Sequence, residues 1–161
     1  PEFTDAVCFI TESNQGRSTV ALQLNRPIKT GLAELIEQKG FESTIDEPVY
    51  RGGSFNPSAL IILHDSDWFS SNTMNVNRDW SISSDYFMIE KIALGNMPME
   101  FRCILGVTGW ENDELEQELE KTKPKWILLK NPTKKLITED FDRQYSLALT
   151  EYSQKQVSEI F

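Results

Sequence analysis

The segment FRCILGVTGW constrains the fold of this chain more than any other stretch. The apolar run Phe101–Thr108 predicts a buried strand, and Gly106 inside it indicates a bulge or a close contact between backbones. Gly109 and Trp110 are expected to form a turn, because an acidic helix is predicted directly afterwards, over Glu111–Glu120. A buried strand, a tight turn and a helix start make a junction at which other segments converge.

The hydrophobic pattern predicts further strands and helices on both sides of this segment. Several predicted strands follow one another without an intervening helix, which favours a mixed sheet over a doubly wound parallel one. The other predicted strands are Ala6–Thr11, Ser18–Leu24, Val49–Arg51, Ala59–His64, Thr73–Val76, Trp80–Ile82 and Lys125–Leu129. The other predicted helices are Leu32–Gln38, Tyr86–Leu94 with Asp85 at its start, and a C-terminal helix from Thr138 onwards.

Charge limits the classes of partner. The 161 residues carry 16 basic and 25 acidic side chains, which gives a formal net charge of −9. Affinity for nucleic acid rests largely on basic side chains that neutralise phosphates, so nucleic acid is an unexpected partner, and the lysines within 123–135 form the one candidate patch. No apolar run is long enough to span a bilayer and no signal-peptide pattern is present. We therefore expect a cytoplasmic protein, or one of an organelle stroma, without membrane insertion.

Few residues are suited to catalysis or metal binding. Cys8 and Cys103 lie in apolar runs, which predicts two reduced cysteines in the core. With a single histidine they lack the spacing of metal ligands, and no nucleotide-binding motif is present, so no metal or cofactor is expected. His64 ends a predicted strand and precedes Asp65, so it acts either as a general base or as a backbone-bonded residue at a chain reversal.

Glycines and polar residues cluster at the ends of the predicted strands. Pro27 keeps Arg26 extended, which places its guanidinium either against a surface carboxylate or as an anchor for an anion or a backbone carbonyl. Because strand ends share an edge, we predict a ligand-binding site there, with Arg26 and His64 as polar anchors and Trp110 as an apolar wall. Its glycines would let backbone N–H groups approach the ligand. The predicted site residues are Asn25, Arg26, Gly52, Gly53, His64, Gly106, Gly109 and Trp110.

Five short motifs occur in order along the chain: LNRP at Leu24–Pro27, YRGG at Tyr50–Gly53, LH at Leu63–His64, SSD at Ser83–Asp85, and LG-x-x-GW at Leu105–Trp110. Their order and spacing resemble the AlgH family, also called YqgE-like proteins. The resemblance implies an α/β fold in one domain over residues 1–161, with a mixed, barrel-like sheet flanked by helices and a helical C-terminal part over 130–161. It implies mostly bacterial, cytoplasmic proteins, and it supplies no reaction mechanism.

Three features depart from the family pattern. Ser54 and Phe55 follow the double glycine, where relatives usually have GGPV, and Val107 and Thr108 replace the middle pair of LGYAGW. The family's first strand, of the type LLIAMP, is missing before Pro1. If that strand is absent from this branch, the sheet has an open edge with which another chain could pair.

These observations favour a non-catalytic regulatory or protein-interaction module that binds a protein partner or a small ligand. The alternatives are a homo-oligomer, a structural subunit or accessory factor of a larger assembly, and a transcription-linked regulator, a label given to one branch of the family. An enzymatic alternative is a hydrolase in which His64 acts with Asp65 or Ser54. The sequence offers few residues that could serve as the general acid and general base of such a reaction.

Overall fold

The computed structural model describes residues 3–13 and 18–160, with side chains as far as residue 157. Within these residues the chain forms seven strands and five helices. The strands are β1 (Cys8–Ser13), β2 (Thr19–Gln23), β3 (Val49–Arg51), β4 (Phe55–Asp65), β5 (Thr73–Asn75), β6 (Trp80–Ser83) and β7 (Phe101–Trp110). The helices are α1 (Leu32–Gln38), α2 (Tyr86–Ala93), α3 (Glu114–Leu119), α4 (Lys134–Thr138) and α5 (Phe141–Ile160).

The sheet is organised around β7. Its strand order is β1-β2-β7-β4-β6-β5, and β3 pairs in parallel with β7. The first half of β7 lies between β3 and β4, whereas Thr108–Trp110 pairs with β2. Gly106, between these halves, has φ +80°, which glycine adopts without strain, so the strand can change partners there. The result is the predicted mixed sheet, curled into a half-barrel.

The two faces of the sheet carry separate cores, because side chains alternate along each strand. On β4, Ile61 and Leu63 join one core, which also contains Ile137 of α4. Ile62 points to the other face and joins the second core. The apolar sides of α1 and α2 cover that second face through Leu32, Ile36, Met88, Ile89 and Ile92. Helices therefore flank the sheet, as the sequence predicts.

Most local predictions are confirmed. The strand Val49–Arg51 and the helix Leu32–Gln38 have the predicted bounds, and the predicted strands β5 and β6 are present and pair antiparallel. Asp85 caps α2 through its carboxylate, which accepts the N–H of Met88 at 2.8 Å. The sequence cluster Ser13–Gly16, which predicts a turn between the first two strands, lies, beyond Ser13, outside the described residues.

The predicted turn at Gly109 and Trp110 is wrong. Both residues continue β7 and pair with Val20 and Thr19 of β2. The acidic helix begins later than predicted, at Glu114. Local sequence suggests a turn wherever a glycine follows an apolar run. Here β2 lies alongside, so the hydrogen-bonded pairing with β7 continues through Gly109 and Trp110.

The predicted strand Lys125–Leu129 is also wrong, since this segment is irregular. Trp126 packs edge-on against Trp110, with ring centroids 5.3 Å apart, while Ile127 is 54% exposed. The helix predicted from Thr138 onwards corresponds to α5, which begins at Phe141, and the short helix α4 before it was not predicted. The two helices are separated at Glu139, whose backbone is extended at φ −62° and ψ 151°.

Candidate functional site

The structure distributes the eight predicted site residues over four places. His64 lies opposite Phe101 in the sheet, five residues along β7 from Gly106, a separation of about 16 Å. The glycine cluster is Gly52, Gly53 and Gly106; Asn25 and Arg26 border a cleft; His64 is in the interior; and Gly109 and Trp110 lie in the last part of β7.

The glycine cluster brings two backbones into direct contact. A Cβ atom on Gly52 would lie 2.2 Å from the carbonyl oxygen of Gly106, and one on Gly53 would lie 2.1 Å from that of Val107. The N–H of Gly52 donates to the carbonyl of Leu105 at 2.8 Å. The space that these glycines leave is therefore filled by the chain itself, and the Gly52 donor is used within the sheet.

A buried polar cluster, which sequence reasoning missed, adjoins these glycines. The carbonyl of Gly52 accepts the N–H of Gln23 at 3.0 Å and the hydroxyl of Thr108 at 2.8 Å. The side-chain amide of Gln23 donates in turn to the Thr108 hydroxyl at 3.3 Å. Thr108 is one of the departures from the family pattern, and its hydroxyl here ties β7 to the end of β3.

Asn25 and Arg26 hold the segment that precedes β1. The buried amide of Asn25 donates to the carbonyl of Asp5 at 2.8 Å and accepts the N–H of Val7 at 3.0 Å. The guanidinium of Arg26 donates to the carbonyl of Thr4. Of the two alternatives for Arg26, the structure shows the backbone-carbonyl anchor. Sequence patterns indicate such a residue but do not identify the carbonyl.

An open cleft of about 450 Å³ lies between this segment and the start of α5. Its wall combines aromatic rings, carboxylates and the Arg26 stem. The lining residues are Asp5, Asn25, Arg26, Pro27, Phe141, Asp142, Tyr145 and Ser146. Two residues of the predicted site therefore border a cavity, and four of its other lining residues come from a helix more than a hundred residues further along the sequence.

The helix α5 has exposed apolar side chains that begin at this cleft and continue along the helix. Phe141, Tyr145 and Leu149 are spaced at i, i+4 and i+8, which places them on one side of the helix, and they are 44%, 37% and 39% exposed. We call these three residues the α5 stripe. The helix instead buries the polar Gln144 and Glu151, which bond to the backbone of residues 133–137. Hydrophobicity alone would have assigned the inward side incorrectly.

His64 is fully buried and bonded at both ring nitrogens. Nδ1 lies 2.7 Å from the carbonyl oxygen of Asp65, and Nε2 lies 2.7 Å from the hydroxyl of Ser83. Since a carbonyl only accepts, Nδ1 carries the proton and Nε2 accepts from Ser83 in the neutral ring. The Asp65 carboxylate accepts backbone N–H groups from Asp67 and Glu100 instead. The proposed pairing of His64 with the carboxylate of Asp65 or with Ser54 is therefore not the observed one.

Lowering the pH below about 6.5 is expected to destabilise the protein through His64. Burial lowers the pKa of this imidazole from its ordinary value of 6.5. Below that pH the imidazole of the unfolded chain binds a proton more readily than the buried imidazole of the folded chain does. The free energy of unfolding therefore decreases as the pH is lowered, by up to about 1.4 kcal/mol per pH unit. Urea unfolding between pH 7.5 and about pH 5 measures this dependence.

His64→Gln is the control for this pH dependence, because glutamine keeps a hydrogen-bonding amide and does not titrate. The variant should lose part of the pH dependence in this range. Parallel curves for the wild type and the variant would contradict the prediction. As the chain has one histidine, a single imidazole signal in an NMR titration reports its protonation directly.

Both cysteines are free, and both are expected to be unreactive in the folded protein. Burial raises the pKa of the Cys8 thiol to about 12 and raises the pKa of Cys103 as well. At pH 8 only about one Cys8 thiol in ten thousand is ionised, and the thiolate is the reactive form. Arg102 does not activate Cys103, because it points to the opposite face, over the Tyr50 ring.

A thiol reagent such as Ellman's reagent at pH 8 should therefore label neither cysteine quickly under native conditions. Both should be labelled after denaturation in guanidinium chloride. Rapid labelling of one thiol in the folded protein would show that its environment is open to solvent, contrary to this prediction. Cys8→Ser and Cys103→Ser would then identify which thiol reacts.

Trp110 belongs to a chain of aromatic contacts at the end of β7. Its ring meets Trp126 edge-on, and Trp126 meets Phe3 with ring centroids 5.0 Å apart. A Cβ atom on Gly109 would lie 3.6 Å from the ring of Phe55, an ordinary contact distance. Trp110 thus packs within the chain at a place separate from the cleft-lining residues.

The described part of the chain holds neither a metal-binding cluster nor a membrane-spanning helix. In residues 3–13 and 18–160 no group of three or more His, Cys, Asp or Glu side chains is arranged to hold a metal ion. No helix among these residues combines the length and the apolar character needed to cross a membrane.

Comparison with known proteins extends the motif resemblance over nearly the whole chain. The profile of the AlgH-like family matches residues 1–156. A UPF0301 protein of Marinomonas sp. (strain MWYL1) is 30% identical over 152 residues, which cover 92% of this chain and 79% of that relative. A UPF0301 protein of Ralstonia nicotianae is 30% identical over 123 residues, which cover 74% of this chain but 64% of that relative.

Solved structures share the fold. The solution structure of the AlgH protein from Pseudomonas aeruginosa superposes with a TM-score of 0.73 at 24% identity, and covers 91% of this chain and 78% of that one. A crystal structure of a protein from Corynebacterium diphtheriae gives a TM-score of 0.56 at 17% identity, over 74% of this chain and 63% of that one. The fold predicted from the resemblance is confirmed, and the chain belongs to the AlgH-like family.

Proposed function

We propose that this protein is a non-catalytic interaction module that binds a segment of another protein along the α5 stripe and the adjoining cleft. The observation that carries this proposal is the exposure of Phe141, Tyr145 and Leu149 on one side of a helix, beside an open cavity of about 450 Å³. Apolar patches of this kind on a soluble surface commonly mark sites of protein association.

The shape of the surface favours a chain segment over a small ligand. The cleft is open to solvent and continues onto the stripe, which extends about 12 Å from Phe141 to Leu149 along the helix axis. A small molecule would leave most of this apolar surface exposed. A helical or extended segment could cover the stripe and place one side chain in the cleft.

The geometry offers less support for hydrolysis. His64 and Ser83 are both fully buried, so a substrate would have to open the sheet between β4 and β6 to reach them. Their hydrogen bond joins the neighbouring strands β4 and β6, so it is explained by its role in holding the sheet together. We therefore do not propose a second function from this pair.

The test is quantitative affinity purification of the tagged protein from the cells that produce it. A double variant, Tyr145→Ser with Leu149→Ser, replaces exposed side chains and is expected to keep the fold. Leu94→Ser is the matched control, since Leu94, at the C-terminal end of α2, is 80% exposed. The wild type and the control should retain the same partner, and the double variant should lose it.

Equal recovery of every co-purified protein with the double variant would overturn the proposal. A co-purified small molecule that protects the cleft residues, in place of a protein, would also overturn it in favour of a ligand-binding function. Circular dichroism and urea unfolding of each variant confirm that a lost partner reflects the surface and not the fold.

A further inference from the structure

The cleft has an unusual combination of side chains for a site beside an apolar stripe. Two carboxylates, Asp5 and Asp142, line it together with the rings of Phe141 and Tyr145. Carboxylates attract a cation, and the face of an aromatic ring also favours one. A hydrophobic anchor alone would not require the two acidic side chains.

Arg26, which also lines the cleft, and the neighbouring Arg143 are bonded to other groups of the chain. The guanidinium of Arg26 donates to the Thr4 carbonyl. Arg143 lies 3.4 Å from the Glu139 carboxylate and also pairs with Asp140, and these two carboxylates, with a smaller contribution from Asp142, raise its pKa. Among the residues that the structure describes, neither Asp5 nor Asp142 forms an ion pair, so both carboxylates are available to a cation from outside.

We infer that the partner segment is basic, with a lysine or arginine side chain in the cleft between Asp5, Asp142 and Tyr145, and apolar side chains of the same segment over the α5 stripe. This inference rests on the proposed function and names its partner class. The charge of the whole chain agrees with it, because a net charge of −9 attracts a basic segment and repels an acidic one. The same repulsion disfavours a second copy of this chain as the occupant.

The inference can be tested with a phage-displayed library of random peptides about 15 residues long, roughly four helical turns. Selection on the immobilised protein should enrich peptides with a net positive charge and apolar residues at helical spacing. NMR spectra of the labelled protein with an enriched peptide should then show the largest shift changes at Asp5, Asp142 and the α5 stripe.

Charge reversal provides the sharper measurement. Asp142→Lys should weaken an enriched peptide by at least about tenfold, and added salt should weaken binding to the wild type. Glu114→Lys is the matched control, because Glu114 is also an exposed carboxylate in the first turn of a helix. Equal weakening by both variants would show attraction to overall charge, and would overturn the inference.

The outcomes for the two proposals can be distinguished. Enrichment of neutral or acidic peptides that need Tyr145 and Leu149 would refute the basic partner and leave the docking surface intact. Failure to enrich any peptide, while a cellular partner still depends on the stripe, would also refute the inference alone. If no peptide is enriched and no partner depends on the stripe, both proposals are wrong.

Discussion

Replacing Gly52 with alanine is expected to destabilise the protein by about 3 kcal/mol or more, or to prevent folding. The new Cβ atom would lie 2.2 Å from the Gly106 carbonyl oxygen and 2.4 Å from the Cγ2 atom of Ile104. The first of these is a backbone atom in the central strand, so it cannot rotate away. Relief would require β3 to separate from β7, which would break the bond between Gly52 N–H and the Leu105 carbonyl.

Gly109→Ala is the matched control, because it makes the same chemical change in the same sheet. Its Cβ atom would lie 3.6 Å from the Phe55 ring and 3.8 Å from the Thr19 carbonyl oxygen, both ordinary contact distances, so we expect a change within about 1 kcal/mol. Urea unfolding followed by far-UV circular dichroism compares the two variants. Similar stability of both would show that the contact between Gly52 and Gly106 is not as rigid as we infer.

Arg102→Met is expected to cost about 2–4 kcal/mol of unfolding free energy, the second large effect. The guanidinium donates to the Leu24 carbonyl at 2.7 Å, to the Gln144 side chain at 2.9 Å and to the Glu139 carbonyl at 2.7 Å. It also covers the Tyr50 ring at 4.5 Å. Methionine fills similar volume but leaves these acceptors without their donor, and all four contacts join β7 to other parts of the chain.

Arg143→Met is the control, since that arginine is 65% exposed and pairs with the carboxylates of Glu139 and Asp140 just before α5, and little change is expected. Hydrogen exchange should show the Arg102 variant losing protection first in α4 and α5, because Glu139 and Gln144 belong to that part. Uniform loss of protection, or stability equal to that of the Arg143 variant, would contradict the proposed link between β7 and the C-terminal helices.

Local sequence was sufficient where an element's signals lie within it. The apolar spacing of Leu32–Gln38, the capping carboxylate of Asp85 and the β-branched run around Ile62 each specify their element without reference to the rest of the chain. The family motifs added the overall architecture. The family motifs also include Gly52, Gly53 and Gly106, which together allow the backbones at the end of β3 and in β7 to lie in contact.

The predictions failed where a distant partner decides the outcome. Gly109 and Trp110 extend β7 because β2 is beside them, and Lys125–Leu129 stays irregular while Trp126 packs on Trp110. His64 has the features of a general base in the sequence, yet its partner, Ser83, is nineteen residues away and both are buried. Such pairings depend on the whole sheet.

The sequence by itself determined the family, the mixed sheet and the strands and helices with strong local patterns, because short-range sterics, capping and periodicity act within a few residues. Only the tertiary structure decided which groups meet. It placed Asn25 and Arg26 beside α5, buried Gln144 in place of Tyr145, and left the α5 stripe open to solvent. The physical reason is that burial and hydrogen-bond satisfaction are properties of the packed chain, and no local pattern records which side of a helix the sheet will cover.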